Sequence, residues 1–176
     1  AVEIHTEINR IDSFVKVVSI LKSSETKLDK ISISCGLNQS VKKLQEPEDL
    51  LKALWERYYI LDELNIPLIW QLDGKPMSGD LAPTTSRDTV KLFEKIGSDL
   101  PPGLIQLAGG TNEKTYEFLK SNNLPDGIAF GSSARKIMQP LIEFANKNNK
   151  KLYEYPERMD LAIKKAKKFI EPWKIS

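Results

Sequence analysis

The stretch that decides the fold is Gly103–Arg135, GLIQLAGGTNEKTYEFLKSNNLPDGIAFGSSAR. Leu104–Ala108 is a short apolar run ending in Gly109-Gly110-Thr111-Asn112, and Glu113–Ser121 reads as a helix. The pattern then repeats: Gly127–Phe130 is a second apolar run, and Gly131-Ser132-Ser133-Ala134-Arg135 opens another helix. A strand that ends where a helix starts brings backbone N–H groups and the positive end of the helix dipole to the strand's carboxyl end. Two such loops in tandem predict one anion or phosphate site made by Gly109, Gly110, Thr111, Gly131, Ser132, Ser133 and Arg135. That is the arrangement of the last two units of a phosphate-binding (β/α)₈ barrel. The plainer alternative is that these glycines only turn the chain from strand to helix.

Strand and helix alternate through the rest of the chain as well. VEIHT (2–6) puts Val2 and Ile4 on one face and Glu3 and His5 on the other. After Asn9, an N-cap residue type, Ile11, Phe14, Val15, Val18 and Leu21 recur at helical spacing. KISISC (30–35) alternates Ile31 and Ile33 with Ser32 and Ser34, and Gly36 closes it. A long helix over about Glu48–Leu64 follows, in which Trp55, Tyr58 and Tyr59 read as packing groups rather than a nucleotide platform. PLIWQLD (67–73) is the third strand and breaks into a structured loop, Gly74–Asp80. Thr84–Ile96 is helical, with Val90, Leu92, Phe93 and Ile96 inward. Beyond the decisive stretch, a helix over about Ala134–Asn146 contains Pro140. A last helix over about Glu157–Ile170 starts acidic and ends in Lys164, Lys165, Lys167 and Lys168, a gradient the helix dipole favours without any ligand.

This order predicts an α/β fold: five consecutive βα units with a parallel sheet, plus a C-terminal helix. The sheet is either open and doubly wound or part of an eight-unit barrel. Central strands of a doubly wound sheet are covered on both sides and read as continuous apolar runs. Here several strands carry one polar face: Glu3/His5, Ser32/Ser34, Gln71/Asp73 and Gln106. In a barrel those side chains face the lumen, so the expectation is units 4–8 of a TIM-type barrel. Residues 1–148 form that partial barrel, and 149–176 form a basic link and amphipathic helix. His5 and Asp73 are the candidate catalytic residues, with Gln71 and Gln106 beside them as candidate ligand contacts. The alternative is that these polar faces are solvated or form a structural hydrogen-bond network.

Composition narrows the function. With 176 residues, 40% hydrophobic and 28% charged, the chain is a globular one with a sizeable core. No apolar run is long enough to span a bilayer and no signal-peptide pattern is present, so a cytoplasmic location is expected. One cysteine, Cys35, makes no internal disulfide and by itself holds no cluster or thiolate zinc site, and one histidine leaves few metal options. Net charge is +2; eight Lys/Arg against four Asp/Glu from Lys150 onward make that tail +4 and the remainder −2, too small an asymmetry to indicate nucleic acid. The chain opens at Ala1 directly in a strand-like run, from which a further segment upstream of Val2 is expected.

VEIHT (2–6), ISISCG (31–36), IWQLDGKPMSGD (69–80), QLAGGTN (106–112) and GIAFGSSAR (127–135) resemble the C-terminal region of the cyanobacterial light-dependent period (LdpA) family. The resemblance implies an iron–sulfur protein that senses cellular redox state, adjusts the period of the circadian clock and associates with clock input proteins. It also implies that the 4Fe-4S clusters lie in an upstream domain, and no cluster ligand carries over to this chain. After Asn146 the resemblance stops at any assignable motif. Two functions stand against each other: a regulatory redox module, or a barrel oxidoreductase that uses FMN or another phosphate-bearing ligand and draws electrons from the upstream clusters. The lack of an acid–base pair fixed by spacing favours the regulatory module over an enzyme.

Overall fold

The computed structural model describes residues 1–37, 46–74, 85–120 and 123–174. Its order is β1 (Val2–His5), α1 (Ile11–Ser23), β2 (Ile31–Gly36), α2 (Pro47–Leu61), β3 (Leu68–Asp73), α3 (Thr85–Ile96), β4 (Leu104–Ala108), β5 (Gly127–Ile128), α4 (Ser132–Lys147) and α5 (Pro156–Ile170). The expected loop at Lys75–Asp80 lies outside the described residues.

All strand pairs are parallel, and the sheet order is β1-β2-β3-β4-β5. Each crossover therefore moves one place in the same direction. Right-handed crossovers then carry their helices to one face of the sheet, whereas double winding requires the order to reverse at a switch point. The doubly wound alternative is excluded on this order. The five strands do not close a barrel, because no pairing joins β5 to β1 among the described residues.

The helix-covered face is the core. Ile4, Ile31, Ile33, Cys35, Leu68, Trp70, Leu72 and Leu107 are buried there against Phe14 and Val18 of α1, Leu50, Leu54 and Leu61 of α2, and Val90, Phe93 and Ile96 of α3. These residues recur at spacings of three and four along each helix, the period that keeps them on one side. Pro47 starts α2 in its first turn, and Asp49 reaches back to accept from the backbone N–H of Glu46. Tyr58 meets both Trp55 and Tyr59 edge to face, and the Trp55 indole donates to the Asp99 carbonyl at 2.9 Å.

Three local expectations are corrected. Arg10, not Asn9, caps α1, since Asn9 lies in a turn closed by Arg10 N–H and the Glu7 carbonyl. The helix expected over Glu113–Ser121 is only a 3₁₀ turn, Thr115–Phe118. There Asn112 accepts from the Lys114 N–H and Thr115 Oγ1 accepts from the Asn112 N–H, so side chains satisfy the donors that an α-helical first turn needs. β5 is shorter than expected, two residues paired with Gln106 and Leu107, because the hydroxyl of Thr111 takes the Ala129 carbonyl.

At the other end, α5 packs against α4. Phe169 meets Phe130 edge to face at 4.9 Å, and the Arg158 guanidinium lies 3.4 Å over the Phe144 ring.

Candidate functional site

The sheet face opposite the described helices carries the polar side chains in rows set by the register. His5 pairs with Ser34, Ser34 with Gln71, Gln71 with Gln106, and Gln106 with Gly127, so one row crosses five strands. The next row toward the carboxyl ends holds Gly36, Asp73 and Ala108. Alternation in the strands makes this face polar because Ile33, Cys35, Leu72 and Leu107 point the other way, into the core.

His5, Ser34 and Asp73 form a connected chain there. Ser34 Oγ lies 2.9 Å from His5 Nδ1 and donates to Asp73 Oδ2 at 2.5 Å, a charge-assisted distance. The Gln71 amide lies 3.4 Å from Asp73 Oδ1 and 3.4 Å from Glu3 Oε1. Asp73 and Ser34 are buried, at 3% and 1% exposure, while His5 is exposed. Burial pushes the Asp73 carboxyl above the ordinary aspartate range, against the opposing pull of the Ser34 hydrogen bond and the nearby His5. The structure thus brings together the expected His5, Gln71 and Asp73. Gln106 stands next in the row, beside Gly127.

Sequence reasoning put Ser34 on the polar face without naming it a site residue, and it did not single out Arg57. Ser34 is the bridge; its place opposite His5 depends on the register, which alternation alone does not give. Arg57 is a wholly buried cation in the middle of α2. Its guanidinium donates to the carbonyls of Ala53 (2.8 Å) and Glu7 (2.6 Å) and to Thr6 Oγ1 (3.1 Å), and it lies over the Phe14 ring at 5.4 Å. It therefore pins the segment that immediately follows His5. A single arginine in an otherwise apolar helical stripe was the available signal.

The expected anion loops are adjacent, as the β4–β5 pairing requires. Their hydroxyls work differently from expectation. Thr111 donates to the Ala129 carbonyl and Ser133 to the Thr111 carbonyl (2.7 Å), so both tie the loops together. Gly109 and Gly110 adopt φ of 61° and 95°, and no α-helix follows them. Gly131 precedes α4, with Ser132 in its first turn and Arg135 exposed on its surface.

Cys35 does not suit a metal or cluster. It is fully buried on the core face, and burial pushes its thiol up to about 12. Among the described residues no three His, Cys, Asp or Glu side chains are grouped as metal ligands, and no helix is long and apolar enough to cross a membrane.

The family model for the light dependent period A C-terminal domain matches residues 1–172, so it covers the sheet, its polar face and α5 together. The chain belongs to this family. The light dependent period A protein of Synechococcus elongatus is 31% identical over an alignment of 182 positions, which covers 99% of this chain and 49% of that protein. The chain spans about half the length of the curated relative it matches. No solved structure matches it. The family match continues through the last helix, beyond Asn146, where motif reading had no counterpart to offer.

Proposed function

We propose that this domain is the effector half of a circadian period-setting protein: an upstream segment holds 4Fe-4S clusters that report light-driven redox state, and this domain passes that state to clock input proteins in the cytoplasm. The observation that carries the reading is the light dependent period A family match across residues 1–172. The polar face supports it, since a sheet wound in one direction carries its described helices on the other side and leaves this one for a ligand or for neighbouring chain. We also infer that this face continues a barrel whose earlier units lie in the rest of the protein. Sequential strand order, a relative about twice as long, and the exposed apolar side chains of Val17 (40%) and Ile20 (67%) on the first helix support that arrangement.

The test is a rhythm-reporter strain of a cyanobacterium whose full-length gene is truncated before this domain. A changed period, with clusters still visible by electron paramagnetic resonance in the purified truncated protein, is expected; an unchanged period overturns the reading.

The second reading, a phosphate- or FMN-binding oxidoreductase, draws on the start of α4 beside Arg135. Calorimetric titration of full-length protein with FMN or inorganic phosphate, weakened by Arg135→Gln, would favour it.

A further inference from the structure

Ser34 has one hydroxyl proton and two partners. Its oxygen lies 2.5 Å from Asp73 Oδ2 and 2.9 Å from His5 Nδ1. An ionised carboxylate only accepts, so the Ser34 proton goes to Asp73. The other contact then requires His5 Nδ1 to carry a hydrogen and donate it to Ser34. With Asp73 ionised, this arrangement calls for the Nδ1–H tautomer of His5, which leaves Nε2 as the acceptor nitrogen of the ring. The two inner members are buried and the outer one is exposed, beside a hollow of about 200 Å³ lined by Thr6, Glu7, Arg10 and Phe14.

We propose that His5, Ser34 and Asp73 form a proton relay whose outer atom, His5 Nε2, takes the proton of a bound uncharged ligand carrying an acidic O–H or N–H group. The ligand's X–H bond breaks and Nε2–H forms. The Nδ1 hydrogen passes to Ser34 Oγ, and the former Ser34 proton passes to Asp73 Oδ2. His5 ends neutral as its Nε2–H tautomer, Asp73 ends neutral, and the ligand keeps the electron pair. One negative charge moves from Asp73 to the ligand, and nothing is oxidised or reduced.

The charges around the relay select the ligand class. Glu3 and Asp73 lie at the relay on β1 and β3, both in contact with Gln71; Glu7 lines the neighbouring hollow, where Arg10 pairs with it at 3.9 Å, and Arg57 is committed to backbone carbonyls and Thr6. This acidic surround disfavours a ligand that arrives as an anion. Burial of Asp73 raises its proton affinity, which helps it to receive the relayed proton. Gln71, through its contacts to Asp73 and Glu3, is a positioning residue, as are Ser34 and Asp73.

Histidine-labelled full-length protein tests this by long-range ¹H–¹⁵N correlation at pH 8, where an ordinary imidazole is neutral. The His5 signal is identified by its loss in His5→Gln. A protonated Nδ1 and a bare Nε2 are expected in the wild type, with reversion toward Nε2–H in Ser34→Ala. The wild-type spectrum decides without any variant. The second arm uses 4-nitrophenol, an uncharged O–H acid whose anion is yellow. Bound to wild type, it should ionise about one pH unit lower than in the presence of His5→Gln, a tenfold change in the ionised-to-neutral ratio. An Nε2–H pattern in the wild type, or equal phenol ionisation with both proteins, overturns the proposal.

Discussion

Asp73 bonds Ser34 although its register partner on β2 is Gly36. The diagonal contact exists because position 36 has no side chain: a Cβ there would lie 2.3 Å from the Asp73 carbonyl oxygen and 3.0 Å from the Asp73 Cβ. Gly36→Ala is therefore expected to destabilise the domain by about 1–3 kcal/mol, the usual cost of overpacking, in urea unfolding. Gly127→Ala is the control, since its Cβ would meet only Gln106 Cγ, at 3.9 Å. It should unfold within about 0.5 kcal/mol of wild type or be slightly more stable.

Arg57→Met should cost more. The substitution removes the donors that serve the Thr6 hydroxyl and the Glu7 carbonyl, and unsatisfied buried groups cost about 1–3 kcal/mol each. A loss of about 2–4 kcal/mol in urea unfolding is expected, with Arg57→Lys between it and wild type because an ammonium cannot reproduce the planar fork.

Much of this was legible from the chain itself. Alternation in VEIHT, KISISC and PLIWQLD correctly separates the core residues Ile4, Ile33 and Leu72 from His5, Ser34, Gln71 and Asp73. What alternation cannot supply is register, so the Ser34 bridge required the structure. The Glu113–Ser121 helix failed because Asn112 and Thr115 offer local side-chain partners to the backbone, and a short segment gains too little from propagation to resist them. Arg57 was hidden because its partners are carbonyls and a hydroxyl rather than carboxylates, so no charge pairing announces it.

Cys35 should be inert in the native state. Its thiol is buried and pushed up to about 12 from an ordinary value of 9.0. Iodoacetamide at pH 8 should label it only after unfolding. Because the folded-state value is the raised one, the stability this thiol contributes is complete below about pH 9 and is lost as pH rises toward 12. Cys35→Ala should lack that alkaline loss; native labelling at the rate of a free thiol would contradict the burial.

Asp73 gives an acid-side counterpart. Its folded-state value is raised by burial, so its favourable contribution is full below the unfolded aspartate range and is lost as pH rises through the folded value. Wild type should therefore gain stability relative to Asp73→Asn as the pH falls from neutral through that value. Melting temperatures of the two proteins across pH 4 to 7 check the sign, and a constant difference would contradict it.

We propose that the polar row ending in His5, with Asp73 behind it, is the surface through which this domain acts on the clock period. The most direct measurement is the free-running period of a rhythm reporter in a cyanobacterium whose full-length gene carries His5→Gln, at an exposed position outside the hydrophobic core. The account predicts a period shifted toward that of the strain lacking this domain, with protein abundance and cluster content unchanged. A wild-type period in that strain, at wild-type abundance, would contradict it.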